Sequence, residues 1–268
     1  MGTVVSLVVG LLLVGGTLTL FERWRPAIAG RRWWRRDAGT DLAYWFFTPL
    51  VTKAITRGVL VAAIVLVVWA AEGVVTRERI DVFLAGRGVV ARWPRALQIA
   101  AVLVLGDLLG YATHRAFHRG RLWPFHAVHH SSPDVDWLSS VRLHPVNDLV
   151  MRVAQSVPLL LLGFPATVLA GYVPFLTLYA VFLHANVPWD FGPLRLVLAS
   201  PAFHRWHHTS ETEGLDRNFA GLFPAIDLAF GTLHMPRDLR PERFGIVGTT
   251  VPDGIVAQLA YPWRMRGR

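Results

Sequence analysis

Residues 114–130 read His-Arg-Ala-Phe-His-Arg-Gly-Arg-Leu-Trp-Pro-Phe-His-Ala-Val-His-His, and the rest of the chain is read from this stretch. It carries a His-x-x-x-His pair, His114 and His118, followed by a His-x-x-His-His triplet, His126, His129 and His130. The triplet recurs downstream as His204, His207 and His208. All eleven histidines fall between His114 and His234. Residues three and four apart on a helix share a face, so each set projects its imidazoles together. Eight imidazoles in these sets are too many for one ion, because about four to six ligands saturate a first-row metal. Two metals sharing the set fit better. His144 and His184 stand where further ligands are needed, and His234, outside the motifs, reads as structural.

Outward from the histidines the chain is apolar. Of 268 residues 53% are hydrophobic and only 17% charged. Several runs approach the roughly 20 residues that cross a bilayer. Residues 2–20 carry no charge and read as a first span. A signal peptide is disfavoured there, since a basic start and a small-residue cleavage site are both missing. Residues 41–50 read as interfacial or partly inserted, and 57–71 as the core of a second span. Residues 72–95 read as a loop with a short surface helix, and 96–111 as the third span, leading into His114. Residues 150–162 and 166–183 form a hairpin turning near Gly163, Phe164 and Pro165. It starts after His144 and ends at His184, which places both on one membrane face. The expected fold is all-α: an integral membrane helical bundle of about four to five membrane helices with a helical cap holding a histidine-rich dimetal site. The domain reading is N-terminal membrane helices and interfacial segments over 1–95, a catalytic domain over 96–240, and a basic tail over 241–268.

The net charge is +9, and every basic residue except Lys53 is arginine. The excess flanks apolar runs, which points to lipid headgroups and topology, with no nucleic-acid partner. Arg23, Arg25, Arg31, Arg32, Arg35 and Arg36, interleaved with Trp24, Trp33 and Trp34, read as an interfacial anchor. Arginine is densest on the histidine side, so that side is expected to be cytoplasmic. There is no cysteine, which excludes disulfides and thiolate-held metals.

Asp107, Tyr111, His114 and His118 are spaced to share one helix face. An acidic residue near the end of a span is costly and usually functional. Asp107 is therefore expected to accept the Nδ1–H of a ligating imidazole, the alternative being an ion pair with an interfacial arginine such as Arg115, with Tyr111 and Asn186 also standing behind the ligands. Imidazole suits iron, zinc, copper and nickel alike. Redox chemistry on a lipid needs a cofactor, and that favours two iron ions with O2 as co-substrate; zinc is possible in the purified protein. A membrane metal transporter and a zinc-dependent lipid hydrolase are the alternatives. The first needs polar sites near mid-membrane, and the second usually needs a carboxylate base near an open zinc. Trp123, Trp137, Trp189 and Trp206 line an entrance or simply pack at the interface.

The whole set resembles the fatty acid hydroxylase superfamily, also called the sterol desaturase family, from about residue 107 to 236. The matching residues are Asp107 with His114 and His118, then His126, His129, His130 and Ser131, then Arg142, His144 and Pro145. His184, Ala185 and Asn186 follow, then His204, His207 and His208, then Asn218-Phe219 and Phe230-Gly231-Thr232. The resemblance implies a di-iron centre on the cytoplasmic side of a four-helix membrane domain. It implies O2-dependent hydroxylation or desaturation of an aliphatic lipid, a sterol, fatty acyl or alkyl lipid. Its ligands would be His114, His118, His126, His129, His130, His144, His184, His204, His207 and His208. Some relatives carry a further histidine where this chain has Pro188, which leaves His144 or a water for the tenth place. Ile226 stands before Asp227 where relatives often have tryptophan, and Asp227 reads as structural, capping a helix. No haem or flavin motif is present, so electrons are expected from a separate donor protein.

Overall fold

The apolar runs fold into helices long enough to pair their backbone polar groups internally, as a lipid environment requires. The computed structural model describes residues 2–32 and 34–265. Trp33 and the last three residues of the basic tail lie outside the described residues. Helix α1 spans Gly2–Trp24 and α2 spans Ala38–Glu72. The short α3, Arg77–Ala85, is capped by Thr76, whose hydroxyl accepts the Arg79 N–H. Then come α4 (Arg95–Phe117), α5 (Trp123–His130), α6 (Pro145–Leu161) and α7 (Ala166–Leu183). The cap adds α8 (Pro201–His207), α9 (Pro224–Ala229) and α10 (Ile255–Met265).

Among the described residues, α1, α2, α4 and α7 are the four helices long and apolar enough to cross a membrane. Helix α6, with 17 residues, runs beside α4 and falls just short. The protein is an all-helical membrane protein, as expected. One boundary is corrected. Residues 41–50 are not a separate interfacial segment but the first part of the 35-residue α2. Pro49, which has no N–H to give, is absorbed by a π-helical turn at Thr48–Thr52, so the helix runs on.

Close packing in the bundle rests on small residues. A Cβ at Gly106 would overlap the Tyr172 hydroxyl, so α4 and α7 meet at this glycine. Gln155 of α6 donates its Nε2–H to the Gly106 carbonyl at 3.2 Å. At the far end, the α6–α7 turn needs Gly163 at φ 97°, a value that favours glycine. Its carbonyl accepts the Arg87 N–H at 3.0 Å. Val68, Phe83, Val102, Leu159, Phe164 and Leu169 fill that end with apolar side chains.

The opposite end is polar and buried. Arg142, 1% exposed, donates Nε–H to Asp41 Oδ1 at 2.6 Å. Arg35 bridges the other Asp41 oxygen at 2.5 Å and Asp136 at 2.8 Å. Buried charges persist only when paired and hydrogen-bonded. This network therefore pins the start of α2 to residues 136–142 and explains how Asp41 can open a membrane helix. Helix α10 lies against α5 and the start of α2, through Tyr261, Ala127, Val128 and Tyr44.

Candidate metal centre

Nine of the eleven histidines meet at the polar end of the bundle, in two adjoining groups. His114, His118, His126, His130 and His207 form one; His129, His184, His204 and His208 form the other. Within each group the candidate ligand nitrogens lie within 4.8 Å of one another. Neither group contains a carboxylate.

Helix geometry sorts the triplets. In α5, His126 and His130, four apart, enter the five-histidine group, while His129 turns into the four-histidine group. The second triplet does the reverse: His204 and His208 enter the four-histidine group and His207 the five-histidine group. Each triplet thus serves both groups, and the rings of His130 and His208 stack at the boundary, 4.3 Å apart. Both short helices start at fixed points. Pro124 stands in the first turn of α5; Ser200 caps α8 by accepting the Phe203 N–H, with Pro201 following.

In six of the nine histidines the outer ring nitrogen is held by an acceptor, while Nδ1 of His204 is buried with no partner among the described residues. His114 Nδ1–H donates to the Phe219 carbonyl at 2.8 Å, His129 to the Arg142 carbonyl at 3.0 Å and His184 to the Ala180 carbonyl at 2.7 Å. His207 donates to the Arg217 carbonyl at 2.8 Å. His126 faces Asn147 Oδ1 at 2.7 Å and His118 faces Asp216 Oδ1 at 2.9 Å. A backbone carbonyl only accepts, so these bonds fix the tautomer and leave Nε2 bare.

The bare nitrogens face one another. Nε2 of His129 and Nε2 of His184 are 3.2 Å apart, and those of His114 and His126 are 2.9 Å apart. Burial first, and then the charge of neighbouring imidazoles, holds His129, His130, His204, His207 and His208 well below the ordinary histidine range. His184 is pushed down to about 4, chiefly by burial. The rings are therefore neutral at pH 7. Two neutral imidazoles, each with its proton on Nδ1, can form no hydrogen bond through Nε2, and their lone pairs repel. Nε2 of His118 and of His207 is buried with no partner among the described residues. Unmet lone pairs converging from several helices suit a cation, so the residues present fit metal ions.

The other expected site residues are placed differently. His144 stands outside both groups: it caps α6, Nδ1 accepting the Val146 N–H at 3.1 Å, with Nε2 against the Leu259 carbonyl at 3.2 Å. Asp107 touches no imidazole. Its carboxylate accepts three backbone N–H groups, from Gly221, Leu222 and Phe223, at 2.8, 3.0 and 2.8 Å. It thereby anchors the loop whose Phe219 carbonyl holds His114. Tyr111 bonds Thr232 at 3.0 Å. Asn186 binds the Ile28 backbone through its side-chain oxygen (3.1 Å) and nitrogen (3.0 Å). Asp227 is structural but does not cap its helix; it accepts the N–H groups of Phe219 and Ala220. His234 packs on Trp206, outside both groups. Asn147, Asp216 and the carbonyls of residues 142, 217 and 219 are the positioning groups that spacing alone does not reveal.

A cavity of about 290 Å³ reaches His118, His130 and His207, lined also by Trp123, Leu215 and Val247. A larger one, about 1010 Å³, lies between α1 and α2 beside Trp137 and touches none of the nine histidines. Of the four tryptophans considered for an entrance, Trp123 alone lines the histidine cavity. Trp189 packs on Phe21 and Phe182, and Trp206 is buried.

Comparison with known proteins bears on this arrangement. The fatty acid hydroxylase family profile matches residues 99–232, half of the chain, from within α4 through Thr232. The chain belongs to the fatty acid hydroxylase family. It is 29% identical to an ornithine lipid hydroxylase of Rhizobium tropici over 252 residues, 94% of this chain and 73% of that protein. It is 35% identical to an alkylglycerol monooxygenase of Danio rerio, over 59% of this chain and 35% of the relative. It is 34% identical to a very-long-chain aldehyde decarbonylase of Oryza sativa subsp. indica, over 52% of this chain and 24% of the relative. No solved structure matches it. As a member of the fatty acid hydroxylase family with four membrane helices and two histidine groups, the protein is a membrane oxidoreductase with a metal-binding site.

Proposed function

We propose that the protein is a di-iron lipid hydroxylase or desaturase, acting with O2 on an unactivated C–H bond of an aliphatic lipid. The observation that carries this reading is the pair of adjoining, carboxylate-free histidine groups, with bare Nε2 atoms converging at one end of a membrane bundle. Two irons would be held by His114, His118, His126, His130 and His207 on one side and by His129, His184, His204 and His208 on the other. Iron bound there would supply the oxygen-activating redox chemistry that side chains lack. The ornithine lipid hydroxylase and the alkylglycerol monooxygenases support a lipid substrate.

The chain's own contribution is positional. The Phe219, Arg142, Ala180 and Arg217 carbonyls and Asn147 aim the imidazoles and keep their protons on Nδ1. Phe219 packs edge-on to His114, His118 and His207 and keeps water from that side. The cavity at His118, His130 and His207 offers an apolar lipid segment a route to the five-histidine group, between Trp123, Leu215 and Val247. Electrons come from a separate donor protein, and the arginine-rich histidine side faces the cytoplasm.

Metal analysis with Mössbauer spectroscopy on isotope-enriched protein tests the reading. Near two irons per chain with a coupled signal, lost in His129→Ala, is the expected result. A single tightly held zinc after anaerobic, iron-replete expression would sink it in favour of a hydrolase. Lipid extracts incubated with reductant, with and without O2, then identify the product.

A further inference from the structure

Away from the histidines, the cap holds a second polar cavity, of about 130 Å³. Arg195, Arg205, Arg237 and Arg240 line it, against a single carboxylate, Asp190. It touches no histidine of either group. None of the four arginines forms an ion pair among the described residues. Asp190 is engaged elsewhere, accepting the Gly192 N–H at 3.0 Å.

Arg205 is the telling residue. It is 2% exposed, and its Nη2 has no hydrogen-bond partner among the described residues. Nη1 donates to the Val135 carbonyl at 3.0 Å, and the guanidinium lies over the Phe244 ring at 4.7 Å. The nearest carboxylates are already used. Glu22 accepts the N–H groups of Trp137 and Asn186, Asp134 pairs with Arg31 and Asp136 with Arg35. A buried guanidinium with a donor unmet is costly, and the cavity that Arg205 lines gathers three more arginines against one carboxylate. An anion with several acceptor oxygens would supply acceptors and offset that excess of positive charge, and arginine forks match phosphate geometry.

The setting selects the source of that anion. The segment after α7 leaves the bundle on the histidine side and exposes Leu194 and Val197, each 57% accessible, on either side of Arg195 in the sequence. Leu239, 64% exposed, lines the cavity beside Arg240. Apolar side chains exposed around basic ones are the pattern of a surface that dips into lipid headgroups. We propose that this cavity binds the phosphate group of an anionic membrane phospholipid and fastens the cap to the bilayer surface. The site is independent of the oxidation chemistry. It would stand if the histidine groups held another metal.

Full-length protein, stripped of lipid in neutral detergent, is heated with phosphatidylglycerol, with diacylglycerol of the same chains, or with inorganic phosphate. Phosphatidylglycerol is expected to raise Tm saturably and diacylglycerol not. The double variant Arg237→Gln/Arg240→Gln, at two exposed positions, is expected to keep its ligand-free Tm and metal content. Its phosphatidylglycerol midpoint should rise by about tenfold or more, as expected for lost charge-assisted bonds. Arg205→Gln should abolish the shift, with metal content reporting whether α8 still folds. An equal shift with diacylglycerol, or an unchanged midpoint in the double variant, overturns the proposal. Inorganic phosphate giving the whole shift, with nothing added by lipid, overturns the lipid source.

Discussion

Replacing Asp107 with alanine should strip one metal group and spare the other. The Asp107 carboxylate accepts the N–H groups of Gly221, Leu222 and Phe223. The bond to Leu222 is fully buried, while those to Gly221 and Phe223 are partly wetted. Leaving the buried N–H unmet costs roughly 1–3 kcal/mol, and losing each of two hydrogen bonds to a charge costs about 1.5 kcal/mol at the low end of its range. Together these give about 5 kcal/mol, enough to release residues 219–223 from α4. The Phe219 carbonyl then no longer holds His114 Nδ1, and the Phe219 ring leaves His118 and His207. No residue of the four-histidine group bonds to this loop through its side chain. Metal per chain, measured by elemental analysis after gel filtration, should fall from near two to near one. Asp107→Asn, which keeps one acceptor oxygen, should fall in between. Retention of both metals with unchanged Tm in Asp107→Ala would refute this account of the loop.

His144→Ala should leave metal content unchanged and lower stability by about 1 kcal/mol, the usual worth of an N-cap, because His144 caps α6 and meets neither group; loss of a metal in that variant would restore it as a ligand. Gly15→Ala places a Cβ into the Trp137 ring and should cost about 1–3 kcal/mol of overpacking, read as a lower Tm; the same Tm as the parent would show that α1 can shift without strain.

The membrane bundle and the nine converging histidines were legible because both are written in short-range spacing. Apolar runs near bilayer length become spans, and i, i+3, i+4 sets share helix faces. The division of each triplet between two groups was not legible, because it depends on how α5 and α8 face each other across the chain. The partners of Asp107 are hidden from the sequence for a related reason. It shares a helix face with His114, but a loop more than a hundred residues later supplies the N–H groups that its carboxylate accepts. His144 looked like a ligand because it sits at a helix start on the histidine side; the first turn of α6 takes its Nδ1 instead. Residues 41–50 looked interfacial because Asp41 and Pro49 interrupt the apolar run. Arg35 and Arg142 pair with the first, and a π-turn absorbs the second.

The crossed sharing of the triplets has a mechanical consequence. Helices α5 and α8 each send side chains to both groups, so two bound ions would join the same pair of helices at two points. One point of attachment is a pivot, about which the helices can still swivel; two points make a clasp that fixes their rotation. A chain carrying one ion would keep its cap attached while losing control of the angle between these helices. The cavity walled by Trp123 at the start of α5 and Thr209 after α8 would then change shape with that angle. On this view the second ion is also a brace, and partial metal loading should blur the choice of substrate before it abolishes turnover.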